Sequence, residues 1–289
     1  MKETGEECPM RQARVYTASV DCLKDPQLYQ RALSLLPPER KADADRMKIE
    51  SGKCLSAGAG LLLMAALSDY LGREDAAAVK EKPPAEAGAA GEKPSAEAEV
   101  DGENPCAEAA GEKPSAEAAA DEVVPYLEKV REYSSLRIGI GEHGKPYLQD
   151  YPEVHFNLSH AGNRVMCVVS PEPAGCDIEG VESREHVESV IRCLAESEQE
   201  AARASCVDFF RIWTLKESIL KLSGKGLLIR LNAFAVSLDP LSVQQDFIPE
   251  KVWMKEYEDF RPSYCCSAAL TGVRPPERMI RVDLEAVLE

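Results

Sequence analysis

Apolar residues recur along this chain at spacings of two or of three to four, and the switches between those periods predict its elements. Alternation over 14–20 predicts a first strand, and the pattern over 26–36 predicts a helix that stops at Pro37-Pro38. Pro38-Glu39-Arg40 opens a longer helical pattern that runs to about Leu71, with a weak spot near Ser51-Gly52 and a packing half rich in Ala, Leu and Gly. A short helix over 123–133 precedes strands at 136–141, 154–158, 164–170 and 175–179. The second of these ends at Ser159-His160, and Gly144-Lys145-Pro146-Tyr147 reads as a turn. Helices at 185–194 and 197–204 lead to 209–226, FFRIWTLKESILKLSGKG, and later strands are expected at 233–238, 252–257, 264–270 and 279–283. This order predicts an α+β fold with helices grouped between sets of mostly antiparallel strands.

The stretch 209–226 reads as an amphipathic helix closed by a glycine loop. Wound as a helix, it gathers Phe209, Ile212, Trp213, Ile219 and Leu220 in one apolar arc, with Glu217 and Lys221 one turn apart at its edge. Lys216 falls on the apolar arc, where a charge has no obvious partner. Upstream, Asp177 and Glu179 have the i,i+2 spacing that sends both to one face of a strand, roughly 7 Å apart, with Cys176 and Ile178 on the other. Like charges that close repel, so one takes a proton unless a cation intervenes, and oxygen-only donors suit Mg²⁺, with Glu217 as a third carboxylate. Spacing alone also admits an ordinary surface pair for Glu217 and Lys221, and a solvated strand face for Asp177 and Glu179. Ser159, Ser218 and His160 complete the candidate groups. No His/Cys spacing fits zinc, no serine lies in a G-x-S-x-G elbow, and the Gly/Lys turns at 144–146 and 224–226 lack the spacing of a phosphate-binding P-loop.

Composition changes the picture in one region. Of the formal net charge of −16 over 289 residues, −10 comes from 74–122 alone, where GEKPSAEA occurs at 91–98 and 111–118 with a partial copy at 81–87. A segment with so few large apolar side chains cannot offset its ordering entropy and is expected to be a flexible insertion. The remainder has no basic stripe for nucleic acid, and its acidity disfavours anionic membranes. The ten cysteines show no CxxC pair and one adjacent pair, Cys265-Cys266, which predicts buried thiols in a reducing compartment. MKETGEECPM has no apolar signal core, and the apolar run at 61–67 is short for a membrane span, so a cytoplasmic protein is expected.

Taken in order, GKPY at 144–147, FNLSH at 156–160, GCDIE at 175–179 and FFRIWTLKESILKLSGKGL from Phe209 resemble the Sfp-type 4′-phosphopantetheinyl transferases. That family shows a GKP turn, an N-[IL]-S-H strand end, a G-[IV]-D-[IV]-E strand and a W-[ST]-x-K-E-[AS]-x-x-K helix. The resemblance spans about 136–234, with a looser match over 38–71, and the repeat at 74–122 is foreign to it. It implies a monomer of two similar α/β lobes related by a pseudo-twofold axis, with coenzyme A in the cleft between them. The N-terminal lobe would comprise 1–73 and 123–158, and the C-terminal lobe 159–289. The implied activity transfers the phosphopantetheine arm of coenzyme A to a serine of an acyl or peptidyl carrier protein and releases 3′,5′-ADP.

By motif position, the resemblance implies that Asp177, Glu179 and Glu217 hold Mg²⁺, that Glu217 is also the base for the attacking serine, and that Lys221 neutralises the departing phosphate. His160 with Ser159 would contact coenzyme A phosphates, Lys145 would border the adenine, and Arg40 would meet the 3′-phosphate. Where the family has a second basic residue three positions further on, this chain has Asp43. A non-catalytic coenzyme A sensor on the same fold is the alternative, and the complete set Asp177, Glu179, Glu217 and Lys221 argues against it, because a binder needs no base.

Overall fold

The computed structural model describes residues 12–80, 127–181 and 187–289. The chain opens with strand β1 (Arg14–Ser19), helix α1 (Pro26–Leu35), α2 (Pro38–Arg46) and the long α3 (Glu50–Lys80). Asp25 caps α1 by accepting from the amides of Gln27 and Leu28, and proline opens both α1 and α2. The interruption of the long helical pattern lies at 47–49 and not at Ser51-Gly52. Met47 turns to an extended conformation after its amide bonds back to Ala44, whereas Gly52 sits in the first turn of α3. Every residue of 61–67 is at most 1% exposed. The stretch Glu50–Gly72 has the length and composition to cross a membrane, contrary to the expectation from 61–67 alone, yet it is covered by β1, the other N-terminal helices and the strands described next.

Helix α4 (Leu127–Glu132) follows, and then the hairpin β2 (Ile138–Ile140) with β3 (Pro146–Leu148), so Pro146 and Tyr147 belong to a strand and only 141–145 turn. Strands β4 (His155–Ala161), β5 (Arg164–Ser170) and β6 (Ala174–Gly180) come next. Ser159 and His160 therefore lie inside β4, because its pairing with β5 runs on to Ala161 opposite Arg164. Helices α5 (Glu188–Ile191), α6 (Glu196–Ala204) and α7 (Cys206–Ser223) lead to β7 (Ala235–Leu238), β8 (Leu241–Gln244), β9 (Trp253–Tyr257), β10 (Tyr264–Leu270), β11 (Ile280–Arg281) and α8 (Leu284–Leu288). Sequence pattern missed β8 and α8, both too short for a period to show.

Helices and sheets are mixed in an α+β arrangement. One sheet has the order β11-β1-β5-β4, antiparallel except for the β1–β11 edge, and packs against α3. A second, antiparallel sheet has the order β6-β10-β9 and packs against α7. A lobe boundary at 158/159 would cut through β4, and β5 pairs with both β4 and β1, so the first sheet continues to Ser170 and regains β11 from the C-terminal end. The segment 74–122 begins as the end of α3, helical to Lys80, and its part from 81 lies outside the described residues, as do 123–126 and 182–186.

Helix α7 departs from the amphipathic expectation. Of the predicted arc, Phe209, Ile212, Ile219 and Leu220 are buried and Trp213 half-buried, but Thr214, Leu215, Lys216, Ser218 and Leu222 are buried as well, which leaves little apolar period. A helix covered on most sides is a core helix, and α7 is wedged between α6 and β7 on one side and β6 and β10 on the other. Ser205 caps its start through the Asp208 amide, and Gly224 ends it in the left-handed region at φ +70°.

Candidate active site

Two edge strands from different sheets, β4 and β6, meet in front of α7. No ladder joins them, and side chains of β4 take its place. Asn157 Oδ1 accepts from the Cys176 amide at 3.0 Å and Ser159 Oγ accepts from the Ile178 amide at 3.4 Å, while Cys176 Sγ donates to the Asn157 carbonyl. Residues two apart on β4 thus serve amides two apart on β6, which explains the N-x-S pattern in terms of backbone satisfaction. Nothing in the sequence marked Asn157 beyond its place in that motif.

On β6, alternation works as expected. Cys176 and Ile178 enter a core with Val15, Val168 and Ala268, while Asp177 and Glu179 turn to α7. Asp177 is 3% exposed. Its Oδ1 accepts from Ser159 Oγ at 2.8 Å and from Lys221 Nζ at 2.6 Å, and its Oδ2 is buried without a hydrogen bond. Lys221 also donates to Ser159 Oγ at 3.0 Å and to the Cys176 carbonyl at 3.2 Å, so all three of its donors are engaged and it acts as a fixed charge. Glu179 Oε1 accepts from Trp213 Nε1 at 3.4 Å. Glu217 lies on the same ridge of α7 as Lys221 and feels the charges of Asp177 and Lys221.

These carboxyls resist ionising together. Burial, and then the charge of Asp177, push Glu179 up to about 7. Burial and Asp177 also raise Glu217, with Lys221 opposing, and burial raises Asp177 itself against the pull of Lys221. Among the described residues no three metal-ligating side chains converge on one point, as follows for uncompensated like charges. Mg²⁺ is commonly held by one or two carboxylates with water and substrate phosphate. The unpartnered Asp177 Oδ2, with Glu179 and Glu217 near enough to feel the charge of Asp177, fits such an ion.

The other candidate residues divide. His160 is exposed on β4, and desolvation, then the charges of Lys221 and Arg40, hold its pKa below the ordinary range. Arg40, on α2, pairs with Asp43 at 3.2 Å and donates to the Ser56 carbonyl, while its Nε is buried without a partner. Asp43 is shared with Arg46. Ser218 is fully buried, donates to the Leu215 carbonyl and accepts from Ser267, which leaves it no catalytic access.

Lys145 does not point freely outward. Its ammonium donates to the carbonyls of Ala174 at 2.9 Å and Leu222 at 3.1 Å, so the first Gly/Lys turn is latched to the end of α7 beside Gly224 in the second. Burial pushes Lys145 down to about 8. Between that value and the unfolded lysine pKa the unfolded chain holds more protons, so this group's share of stability rises with pH through that window and is lost as pH falls through about 8. Wild type should therefore gain about 2 kcal/mol over Lys145→Met between pH 7 and pH 9.5, at 1.36 kcal/mol per pKa unit. Urea unfolding of both proteins at the two pH values measures this, and parallel pH profiles would show that the ammonium is not desolvated.

The structure thus brings together Ser159, His160, Asp177, Glu179, Glu217 and Lys221, with Arg40 close enough for its charge to act on His160. The model of the 4′-phosphopantetheinyl transferase superfamily matches residues 173–269, which include β6, α7 and β10. The chain is 31% identical to 4′-phosphopantetheinyl transferase Sfp of Bacillus subtilis (strain 168) over 163 residues, 54% of this chain and 72% of that protein. Over 167 residues it is 30% identical to 4′-phosphopantetheinyl transferase ffp of Bacillus subtilis, with the same two coverages. It is 37% identical over 112 residues to 4′-phosphopantetheinyl transferase AcpT of Salmonella typhi, 36% of this chain and 58% of that protein.

Proposed function

From the premise that the chain belongs to the Sfp-type 4′-phosphopantetheinyl transferase family, we infer that Glu217 is its base, Lys221 its fixed counter-charge, and Asp177, Glu179 and Glu217 its Mg²⁺ ligands. The enzyme transfers phosphopantetheine from coenzyme A to a carrier protein. The observation that carries the finer reading is the meeting of Asp177, Lys221 and Glu217 across β6 and α7, with one buried carboxylate oxygen unpartnered.

In the reaction a carrier serine oxygen attacks the phosphorus that bears the pantetheine arm, and the P–O bond to 3′,5′-ADP breaks. Glu217 takes the serine proton, directly or through water; its carboxyl accepts more readily than an exposed glutamate because burial and Asp177 raise its pKa. Lys221, immobilised by Asp177, Ser159 and the Cys176 carbonyl, opposes the charge that grows on the leaving phosphate without having to reorganise. Ser159 relays between Lys221 and Asp177 and fixes which carboxylate oxygen stays open. Mg²⁺, when bound, supplies Lewis-acid stabilisation of the pyrophosphate oxygens. His160 and Arg40 receive coenzyme A phosphate groups, and the turn at Lys145 borders the adenine. The release of 3′,5′-ADP, the paired-lobe architecture, a monomeric cytoplasmic enzyme and an insertion at 74–122 belong to the same reading.

Intact-mass spectrometry of an apo carrier incubated with this protein, coenzyme A and Mg²⁺ tests it. One added phosphopantetheine, lost on chelation and in Glu217→Ala, is expected. Transfer that survives both would remove Glu217 and the metal from the mechanism.

Asp43 supplies a separate expectation. It places a carboxylate on the guanidinium proposed to meet a coenzyme A phosphate, so Asp43→Ala should tighten coenzyme A binding about three- to tenfold. Calorimetric titration checks this, and unchanged affinity would take Arg40 out of the phosphate site.

A further inference from the structure

Lys216 and Glu217 are adjacent in sequence and leave α7 about 100° apart around its axis. Glu217 shares its ridge with Lys221, which faces β6, whereas Lys216 runs towards α6 and the segment entering β7. There its side chain and that of Glu198 are both 0% exposed. The ammonium donates to the two oxygens of Glu198 at 2.7 and 2.8 Å and to the Phe234 carbonyl at 2.7 Å, and it stands 4.0 Å from the centre of the Phe234 ring. Glu198 in turn accepts from the Val236 amide at 2.6 Å and from the Ala195 amide at 2.9 Å, just before its own helix begins. One buried pair therefore binds α7 to α6, to the residue before α6 and to the backbone on both sides of the entry to β7.

The reaction uses neither residue, and stability does not explain the choice of an ion pair. A well-packed apolar pair of similar volume is often as stable as a buried salt bridge or more so. What the ion pair adds is direction. Apolar contacts change little when a helix rolls by a few degrees, whereas an ammonium with all three donors spent on fixed oxygens resists any roll. A roll of about 10° moves a side-chain tip about 5–6 Å from the helix axis by about 1 Å. A misplacement of that size can cost about 100-fold in rate.

We propose that Lys216 and Glu198 are positioning residues of the transferase, holding α7 at the roll that brings Glu217 and Lys221 onto Asp177 and Glu179. The proposal rests on the reading of Glu217 as the base.

The test uses full-length protein carrying Trp253→Phe, which leaves Trp213 as the sole tryptophan. Trp213 lies on α7 and donates to Glu179, so its emission reports the roll independently of turnover. Into this background go Glu198→Gln, which keeps the shape of the side chain, and Lys216→Met, which removes the anchor. In Glu198→Gln, folded at the assay temperature by circular dichroism, a shifted Trp213 emission is expected. So is a kcat at least tenfold lower, with KM for coenzyme A within about twofold of the background value. In folded Lys216→Met kcat should fall about 100-fold; should that variant melt, Glu198→Gln decides alone. Unchanged emission or unchanged kcat in folded Glu198→Gln overturns the proposal and leaves the pair as core packing. A parent enzyme that modifies no carrier would refute the reading of Glu217 instead, and the Trp213 emission would still decide whether the pair sets the roll.

Discussion

Glu217→Gln should slow phosphopantetheinyl transfer by roughly 10²–10⁴-fold, the range for loss of a positioned general base, while coenzyme A affinity stays within a few fold. Glutamine keeps the size of the side chain and its half-buried setting on α7, so the helix and its contacts with β6 persist. What is lost is the group that accepts the serine proton and, with it, one of the three carboxylates proposed to hold Mg²⁺, of which Asp177 and Glu179 remain. Lys221 remains held by Asp177 and Ser159, so stabilisation of the leaving phosphate survives and a residual rate remains. Single-turnover formation of holo carrier, monitored by mass, separates the chemical step from binding. A rate within threefold of wild type would show that the serine proton goes elsewhere.

Gly175→Ala should destabilise the protein by about 3–5 kcal/mol, above the usual cost of overpacking, and lower its melting temperature by roughly 10 °C. A Cβ at Gly175 would stand 2.1 Å from the Ser218 carbonyl oxygen and 2.4 Å from the Leu222 amide nitrogen. Both obstacles are backbone atoms of α7, which cannot turn aside as a flexible side chain can. The only relief is for α7 to retreat from β6, and that separates Lys221 from Asp177. Activity should therefore fall even well below the melting temperature. Thermal unfolding followed by circular dichroism, beside carrier modification at 20 °C, measures both effects. A melting temperature within about 2 °C of wild type would mean that the close approach of β6 and α7 is not required.

Of the two glycines of greatest consequence, only one carries a local signal in the sequence. Gly224 follows a helical pattern and is legible as its end, because left-handed backbone after a helix is a local property. Gly175 has no local reason to be glycine, since β6 would accept a larger residue; the constraint comes from α7, more than forty residues later in the chain. Lys216 is the parallel case among charged residues. Its place on the apolar arc was readable, but its partner Glu198 sits in the acidic run Glu196-Ser197-Glu198-Gln199-Glu200, where no spacing rule separates it from its neighbours.

Period and punctuation in the sequence determined most of the elements, their order, the shared face of Asp177 and Glu179, and the ridge shared by Glu217 and Lys221, because side-chain direction in a strand or helix repeats with the backbone itself. Tertiary structure decided that β4 runs through Ser159 and His160, and that Asn157 and Ser159 join two sheets through the amides of β6. It also decided that Lys145 latches the end of α7, that Lys221 has no free donor, and that one oxygen of Asp177 remains open. These depend on which groups meet across the fold and on what burial leaves unpaired. A buried donor or acceptor must find its partner wherever packing supplies one, at whatever distance along the chain.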